Sequence, residues 1–225
     1  MVDYRKLRLS NIHTGEFRHV ILLLYWVVYL SWWLVSNLLL QGEHHLIHAP
    51  LDDRIPFVEA MVIPYCIWYI ALFGMTAYLF FFDVTGFRRH MYFVMITFTI
   101  ASVTFGVYPT CVDLRPDTFE RNNVFTWIIG LIYAFDNPVN ACPSIHVIGS
   151  FGVTFAVWHS RRFASMGWKI GSFLLALLIS ASTVMIKQHS VVDVYWGILV
   201  SVLGYVVVYL IPDLRHRKQT VGSHP

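Results

Sequence analysis

His189 and Asp193 stand four residues apart in the stretch Ile-Lys-Gln-His-Ser-Val-Val-Asp-Val at positions 186–194. On a helix that spacing places both side chains on one face. A carboxylate beside an imidazole fixes the ring tautomer and leaves the other ring nitrogen free to attack phosphorus. The pair predicts a nucleophilic histidine with its orienting acid, although the same spacing also fits a buried histidine that a neighbouring acid satisfies.

A second polar group includes Pro143 and Ser144, which open an apolar segment and suit the first turn of a helix. His146 follows in that turn and could protonate a leaving oxygen, while the free N–H groups and the Ser144 hydroxyl could hold a phosphate. Arg115 adds a planar charged fork suited to phosphate oxygens. A capped helix start with an interfacial histidine, and a loop arginine meeting lipid headgroups, are the simpler interpretations. Together with the histidine–aspartate pair, these residues form a complete set for phosphoryl transfer through a phosphohistidine.

Long apolar stretches must position these residues. Of the 225 residues, 57% are hydrophobic and 13% are charged, whereas an average soluble domain has about a quarter charged residues. Crossing a bilayer takes roughly 20 residues, and six segments approach or exceed this: 20–40, 57–82, 91–108, 144–160, 168–187 and 190–211. A seventh, 124–135, is too short and is expected to be re-entrant or interfacial. We therefore expect an all-α polytopic bundle of about six transmembrane helices, with residues 1–225 forming a single membrane domain.

The basic residues predict the orientation of this bundle. Most of the 16 lysines and arginines lie in the two terminal tails, between the second and third segments, and between the fourth and fifth. By the positive-inside rule both termini are cytoplasmic, which requires an even number of crossings. The polar segments that carry Arg115, His146 and His189 would then lie at the extracytoplasmic face, and we expect an integral protein of the plasma membrane.

The three polar segments resemble, in order and in placement, the three signature motifs of the type 2 phosphatidic acid phosphatase superfamily. Those motifs read Lys-x6-Arg-Pro, Pro-Ser-Gly-His and Ser-Arg-x5-His-x3-Asp. The resemblance covers roughly residues 57–211, with Ile145 in place of the glycine of the second motif. The matching positions are Arg115, Pro116, Pro143, Ser144, His146, Ser182, His189 and Asp193.

The resemblance implies a six-helix core and a role for each matching polar residue. His189 would be the nucleophile, with Asp193 as its partner and His146 as the general acid. Arg115 and Ser144 would bind the phosphate. The family uses no metal, and we expect neither a metal nor another cofactor in this chain.

Two positions depart from the motifs. Tyr108 stands seven before Arg115, where the first motif has lysine, and Thr183 stands six before His189, where the third has arginine. Lys187 follows Thr183 by one helical turn, so its side chain could replace one missing cation, and Tyr108 could donate a hydroxyl to the substrate. Because the site has fewer cations than the motifs provide, we expect it to bind a dianionic phosphomonoester more weakly. A phosphodiester or a diphosphate is then a more plausible substrate.

The form Cys-Pro-Ser-x-His at 142–146 also resembles the branch that contains inositol phosphorylceramide synthases, which transfer a phospho-headgroup between lipids. The leading hypothesis is hydrolysis of a lipid phosphate or lipid diphosphate. The alternatives are headgroup transfer to a lipid hydroxyl, and a degenerate member that binds lipid without turnover. The expected partners are the lipid bilayer and a phospholipid or polyprenyl phosphate substrate, and not nucleic acid.

Two further pairs of residues in the predicted outer loops, one of cysteines and one of histidines, each allow two interpretations. Cys111 and Cys142 could pair in an oxidising compartment, although two unpaired cysteines are the simpler interpretation. His44 and His48 are four apart, a spacing that can bind zinc, but we favour a solvated loop that faces lipid headgroups. Asp52, which follows in the same loop, is expected to be equally solvated.

Overall fold

The computed structural model describes residues 2–39 and 43–221 of the chain, and its regular structure is mostly helical. The α-helices are α1 (Leu24–Leu39), α2 (Val62–Phe82), α3 (Val84–Val107), α4 (Val124–Phe135), α5 (Ile145–His159), α6 (Met166–Met185), α7 (Val191–Tyr205) and α8 (Ile211–Val221). Stretches of 3-10 helix occur at Tyr4–Lys6, Leu9–Asn11, Arg18–Leu23 and Glu59–Met61, and the π-helical Val206–Leu210 joins α7 to α8. Two short strands, β1 (His45–Leu46) and β2 (Thr110–Cys111), pair in parallel.

Within the described residues, five continuous helical stretches are long and apolar enough to cross a membrane. They are Arg18–Ser36, Glu59–Phe82, Val84–Val107, Met166–Met185 and Val191–His216. Large apolar side chains remain exposed along them, including Ile70 at 73% and Val103 at 56%, as expected where lipid replaces water around a helix. The prediction of an all-α membrane bundle is confirmed at this level, and the chain is an integral membrane protein.

The fourth predicted segment, 144–160, forms the central helix α5. All residues from His146 to Val157 are buried, and α5 contacts α2, α3, α6 and α7. Small side chains permit this close packing, since a Cβ on Gly149 would lie 2.7 Å from Nε1 of Trp68. The 15 residues of α5 rise only about 22 Å, so α5 falls short of the ~30 Å hydrocarbon layer.

The third segment begins earlier than the hydropathy pattern predicts. α3 starts at Val84 and not at residue 91, because the Oδ1 atom of Asp83 accepts the Gly86 N–H at 2.9 Å and caps the helix. Asp83 alone separates α2 from α3. Arg88 and Arg89 therefore lie in the first turns of α3 and not in a loop.

The connections that precede α4, α5 and α7 are bonded to one another at one end of the bundle. The backbone N–H of Cys142 donates to Oγ1 of Thr110 at 3.2 Å, and the Tyr133 hydroxyl donates to the Ile186 carbonyl at 2.5 Å. Val124–Phe135 forms the short helix that the sequence predicts, and its buried Ile129 packs against the N-terminal part of α2. These contacts gather the three polar segments around a common space.

Candidate active site

The histidine–aspartate pair forms at the start of α7. Ser190 is the N-cap of α7 and Asp193 lies in its first turn, so His189 precedes the helix and the two side chains meet across the cap. Nδ1 of His189 lies 3.2 Å from Oδ2 of Asp193, which also accepts the Ser190 N–H at 3.0 Å. Asp193 is completely buried. The predicted pairing is present, although the contact depends on the cap and not on a shared helical face.

The second histidine touches the first directly. Nδ1 of His146 lies 3.3 Å from Nε2 of His189. Because a carboxylate oxygen accepts hydrogen bonds, we assign the hydrogen of His189 to Nδ1, which leaves a lone pair on Nε2 that faces His146. The His146 ring contacts Tyr65 and Trp68, with ring centroids 4.5 Å and 4.4 Å away. The three catalytic candidates therefore form one hydrogen-bonded row.

Arg115 reaches the same site, but its guanidinium already has protein partners. Nη1 donates to the Tyr133 carbonyl at 3.1 Å, and Nη2 donates to the Asp136 carbonyl and to Oε1 of Gln188, both at 2.5 Å. The group also stacks 4.3 Å above the Tyr133 ring. Burial lowers the pKa of Arg115, and Asp136 and Tyr133 oppose that shift. The arginine therefore fixes the local backbone as well as supplying positive charge.

Asp136 and Gln188 complete the polar part of the site, and the sequence interpretation missed both. Oδ2 of Asp136 accepts from Nε2 of Gln188 at 3.3 Å. Burial raises the pKa of Asp136, while His189 and Arg115 oppose that shift. Asp136 ends an apolar helix and Gln188 adjoins the nucleophile candidate, and each position is a signal that could have identified the residue.

The polar cluster opens on a cavity of about 250 Å³. Its polar lining combines the two histidines with Arg115, Asp136, Asn140 and Gln188. Aromatic residues of the first three helices supply much of the remaining wall, including Trp26, Tyr29, Phe73, Phe98 and Phe105. A polar head region and an apolar body are the features that bind an amphiphile.

Three predicted substrate-binding residues, Lys187, Tyr108 and Ser144, do not line this cavity. The Lys187 ammonium donates to the carbonyls of Asp52 at 2.8 Å and Ile55 at 2.7 Å. α6 ends at Met185, so Lys187 is not one helical turn beyond Thr183 and its side chain points to the loop that contains Asp52 and Ile55. The prediction that Lys187 replaces a motif cation is therefore wrong.

Tyr108 is the second misplaced prediction. α3 ends at Val107 and the chain turns outward, so the Tyr108 ring stacks on His45 at 4.0 Å and is 48% exposed. It does not line the cavity. Thr183, where the third motif has arginine, is fully buried and its hydroxyl donates to the Ser180 carbonyl at 2.8 Å.

Ser144 lies beside the catalytic row without facing the cavity. Its backbone N–H donates to the Asp193 carbonyl at 3.1 Å, which joins the start of α5 to α7. The side chain is fully buried, makes no cap bond, and finds no hydrogen-bond partner among the described residues. Ser144 does not line the cavity, so the structure does not place its hydroxyl where the sequence predicts that it holds a phosphate.

The other polar groups of the outer loops have ordinary structural roles. Cys111 and Cys142 are free thiols, and burial, with a smaller effect of Asp193, raises the pKa of Cys142 to about 12. His48 bonds Asp53 at 3.1 Å. Across residues 2–39 and 43–221, no group of three or more histidine, cysteine and acidic side chains could hold a metal ion. Asp52 is buried, so the prediction that it is solvated is wrong.

No family model matches the chain, and neither does any curated protein or solved structure. The class of protein is therefore defined by the fold and the site alone. It is an all-α integral membrane protein in which a histidine–histidine–aspartate row borders a largely aromatic cavity.

Proposed function

We propose that this chain is a membrane phosphatase that hydrolyses a lipid phosphate or lipid diphosphate through a phosphohistidine, as the type 2 phosphatidic acid phosphatase superfamily does. One observation carries the proposal. His189, bonded to the buried Asp193 and in contact with His146, borders a cavity whose body is aromatic. A nucleophile, its orienting acid and a proton donor thus meet where the polar head of an amphiphile would lie.

In the proposed reaction, the Nε2 lone pair of His189 attacks phosphorus, and the bond from phosphorus to the lipid oxygen breaks. His146, in its imidazolium form, gives a proton to that oxygen and becomes neutral, and the oxygen leaves as the lipid alcohol or the lipid monophosphate. Water then attacks the phosphohistidine while His146 takes a proton from it, and the phosphorus–nitrogen bond breaks to release phosphate. Asp193 holds the Nδ1 hydrogen throughout and keeps Nε2 directed at the substrate.

The substrate must separate the two imidazoles to react in this way. Their nitrogens are 3.3 Å apart, whereas attack needs phosphorus at about 3 Å from the nucleophile with the leaving oxygen beyond it. Catalytic contacts commonly rearrange when the substrate enters. We propose that the phosphoryl group displaces the His146 ring from His189, and that His146 then donates to the leaving oxygen.

We also propose six crossings, cytoplasmic termini and an active site at the extracytoplasmic face of the plasma membrane. In this arrangement α5 is the sixth crossing. It is shorter than the hydrocarbon layer, but other helices enclose it, so non-helical residues at its ends can complete the crossing within protein. The positive-inside rule gives the orientation. The test is cysteine labelling in whole cells on a background without Cys111. Glu120→Cys should react with an impermeant maleimide, whereas Arg161→Cys should react only after permeabilisation. The reverse pattern would invert the orientation.

The function is tested with purified protein and mixed lipids. Phosphate release is measured from phosphatidic acid, phosphatidylglycerol phosphate, a polyprenyl diphosphate and inositol phospholipids. We expect release from at least one of them, together with acid-labile phosphate on His189 in quenched reactions. His189→Asn should abolish both signals, and His48→Asn, which changes an exposed loop histidine, should leave them intact. Turnover retained by His189→Asn would refute the assignment.

A second candidate function is headgroup transfer from a phosphodiester lipid, and Asp136 favours it. Both terminal nitrogens of Arg115 in the cavity are engaged by protein acceptors, and the neighbouring carboxyl group of Asp136 would repel a dianionic phosphate. Asn140 also lines the cavity, and its amide atoms have no partner among the described residues. Amide and carboxyl groups suit a hydroxyl-bearing headgroup. Accumulation of a new phospholipid in place of free phosphate would identify the transferase, and lipid binding without either product would identify a degenerate member.

A further inference from the structure

The first outer loop lies along the segment that carries His189. We call residues 49–58 the outer strap, and it bonds to residues 185–191 at three places. The Val58 N–H donates to the Met185 carbonyl at 3.1 Å. The second connection precedes His189, where the Lys187 ammonium donates to the Ile55 carbonyl of the strap. The third follows His189, where the Asp52 carboxylate of the strap accepts from the Ser190 hydroxyl. The nucleophile candidate is therefore held from both sides by a part of the chain about 135 residues earlier.

Asp52 provides the connection after His189. Its Oδ2 accepts the Ser190 hydroxyl at 2.6 Å and the Ala49 N–H at 2.9 Å, and its Oδ1 accepts the Val191 N–H at 2.8 Å. The side chain is fully buried, and a buried carboxylate is tolerated only when its oxygens are bonded in this way. The start of α7 supplies free N–H groups and a positive dipole end, which favour the negative charge.

Lys187 provides the connection before His189. Its backbone has a φ of 58°, in the left-handed region, which turns the chain sharply after α6. The ammonium donates to the carbonyls of Asp52 and Ile55 at 2.8 Å and 2.7 Å. The two segments therefore bond each other in both directions. The Lys187 side chain bonds carbonyls of the strap, and the Asp52 side chain of the strap bonds the start of α7.

We propose that Asp52 and Lys187 are positioning residues that hold the His189 imidazole against Asp193 and His146. This proposal rests on the proposed function. Asp52 bonds the Ser190 hydroxyl, while the Ser190 N–H and Nδ1 of His189 share one oxygen of Asp193. A displacement of Ser190 therefore changes the His189 contact. Neither Asp52 nor Lys187 lines the cavity, so their effect on the reaction is transmitted through the histidine and not through the substrate.

The kinetic test uses Asp52→Asn, which keeps the shape and removes acceptor capacity. Residues that orient a catalytic group typically contribute 10- to 100-fold, so we expect kcat to fall by roughly that factor while KM changes by less than about twofold. Lys187→Gln should behave in the same way, and Lys187→Arg should recover part of the loss because it keeps cationic donors. Asp53→Asn is the matched control, since that carboxylate faces His48 at the surface.

A second readout does not depend on turnover. The ¹⁵N spectrum of the imidazoles reports which nitrogen of His189 is protonated, with His189→Asn assigning the signals. Asp52→Asn should convert a single Nδ1-protonated form into a mixture and should speed hydrogen exchange at the Val191 amide, whereas Asp53→Asn should change neither. A melting curve close to that of the unmodified protein verifies that Asp52→Asn is folded.

Each result supports or overturns the proposal. A changed His189 spectrum together with reduced kcat supports it. An unchanged spectrum, or a changed spectrum with full kcat, overturns the positioning role. If the unmodified protein hydrolyses no lipid, the proposed function fails. The ¹⁵N spectra still test the positioning role of Asp52 in that case. A changed His189 signal in Asp52→Asn supports that role, and an unchanged signal overturns it.

Discussion

Nδ1 of His146 lies 3.3 Å from Nε2 of His189, so the two candidate catalytic rings are in hydrogen-bond contact. The contact depends on how His146 is packed against Tyr65 and Trp68. Both aromatic residues belong to α2, whereas the histidines belong to α5 and the turn before α7. The distance between the candidate acid and the candidate nucleophile is thus set by helix packing in the membrane domain, and mutations within the bundle should affect the proposed reaction.

Gly149 gives the most direct test of this coupling. A Cβ at this position would lie 2.7 Å from Nε1 of Trp68, so Gly149→Ala should displace Trp68 and disturb its contact with His146. Overpacking of this kind costs about 1–3 kcal/mol, and we expect a lower melting temperature together with reduced kcat. The matched control is Gly74→Ala in α2, where nothing lies within 4 Å of the added carbon. Equal effects of the two substitutions would contradict the coupling.

The proposed role of His146 predicts a dependence on the leaving group. General acids contribute typically 10²- to 10⁴-fold, so His146→Asn should slow hydrolysis of a lipid phosphate by about that factor. An aryl phosphate whose phenolate leaves without a proton should lose far less. Rates on the two substrates, measured with the same enzyme preparations, provide the comparison. If both substrates lost the same factor, His146 would not be the proton donor.

Asp136 should make both binding and stability depend on pH. Burial raises the pKa of Asp136 in the folded protein above the ordinary 3.8. The stability that the protonated carboxyl gives to the folded protein is therefore complete below pH 3.8, and it is lost as the pH rises through the pKa of the folded state. Asp136→Asn should therefore melt at a higher temperature than the unmodified protein at pH 7, with the difference vanishing at acid pH. A constant difference across this range would contradict the shift.

The same substitution should improve binding of a dianionic phosphomonoester, because it removes a negative charge from the cavity. We expect KM to fall roughly 3- to 10-fold, which corresponds to about 1 kcal/mol of lost repulsion. Asp117→Asn, on the exposed loop outside the cavity, serves as the control. An unchanged KM would indicate that Asp136 does not face the phosphate.

Cys142 should resist alkylation in the folded protein. Its thiol is buried and has a pKa of about 12, so at pH 8 the reactive thiolate fraction is about 10⁻⁴. Mass spectrometry after maleimide treatment should find Cys142 unmodified before denaturation and modified after it. A reductant should leave the melting temperature unchanged, since Cys111 and Cys142 are free thiols. A reductant-sensitive melting temperature would reveal a disulfide that the structure does not contain.

The sequence by itself determined the helices and the histidine–aspartate pair. Apolar runs specify membrane helices because unpaired backbone groups are costly in lipid, and most of the predicted segments became helices within a few residues. The pair was predictable because His189 and Asp193 are so close in the chain that local cap geometry joins them. The early start of α3 was not predicted, since the capping carboxylate of Asp83 outweighs the polar character of Arg88 and Arg89.

Tertiary structure alone decided which other polar residues share the site. Lys187 was assigned to it by helical periodicity, but the helix ends at Met185 and the ammonium binds strap carbonyls instead. Asp136 and Gln188 enter the site through contacts between segments about 50 residues apart, which no local pattern encodes. Asp52 is buried by a partner still more distant in the chain. Local spacing predicts what touches within a turn, whereas packing of whole helices decides which loops meet.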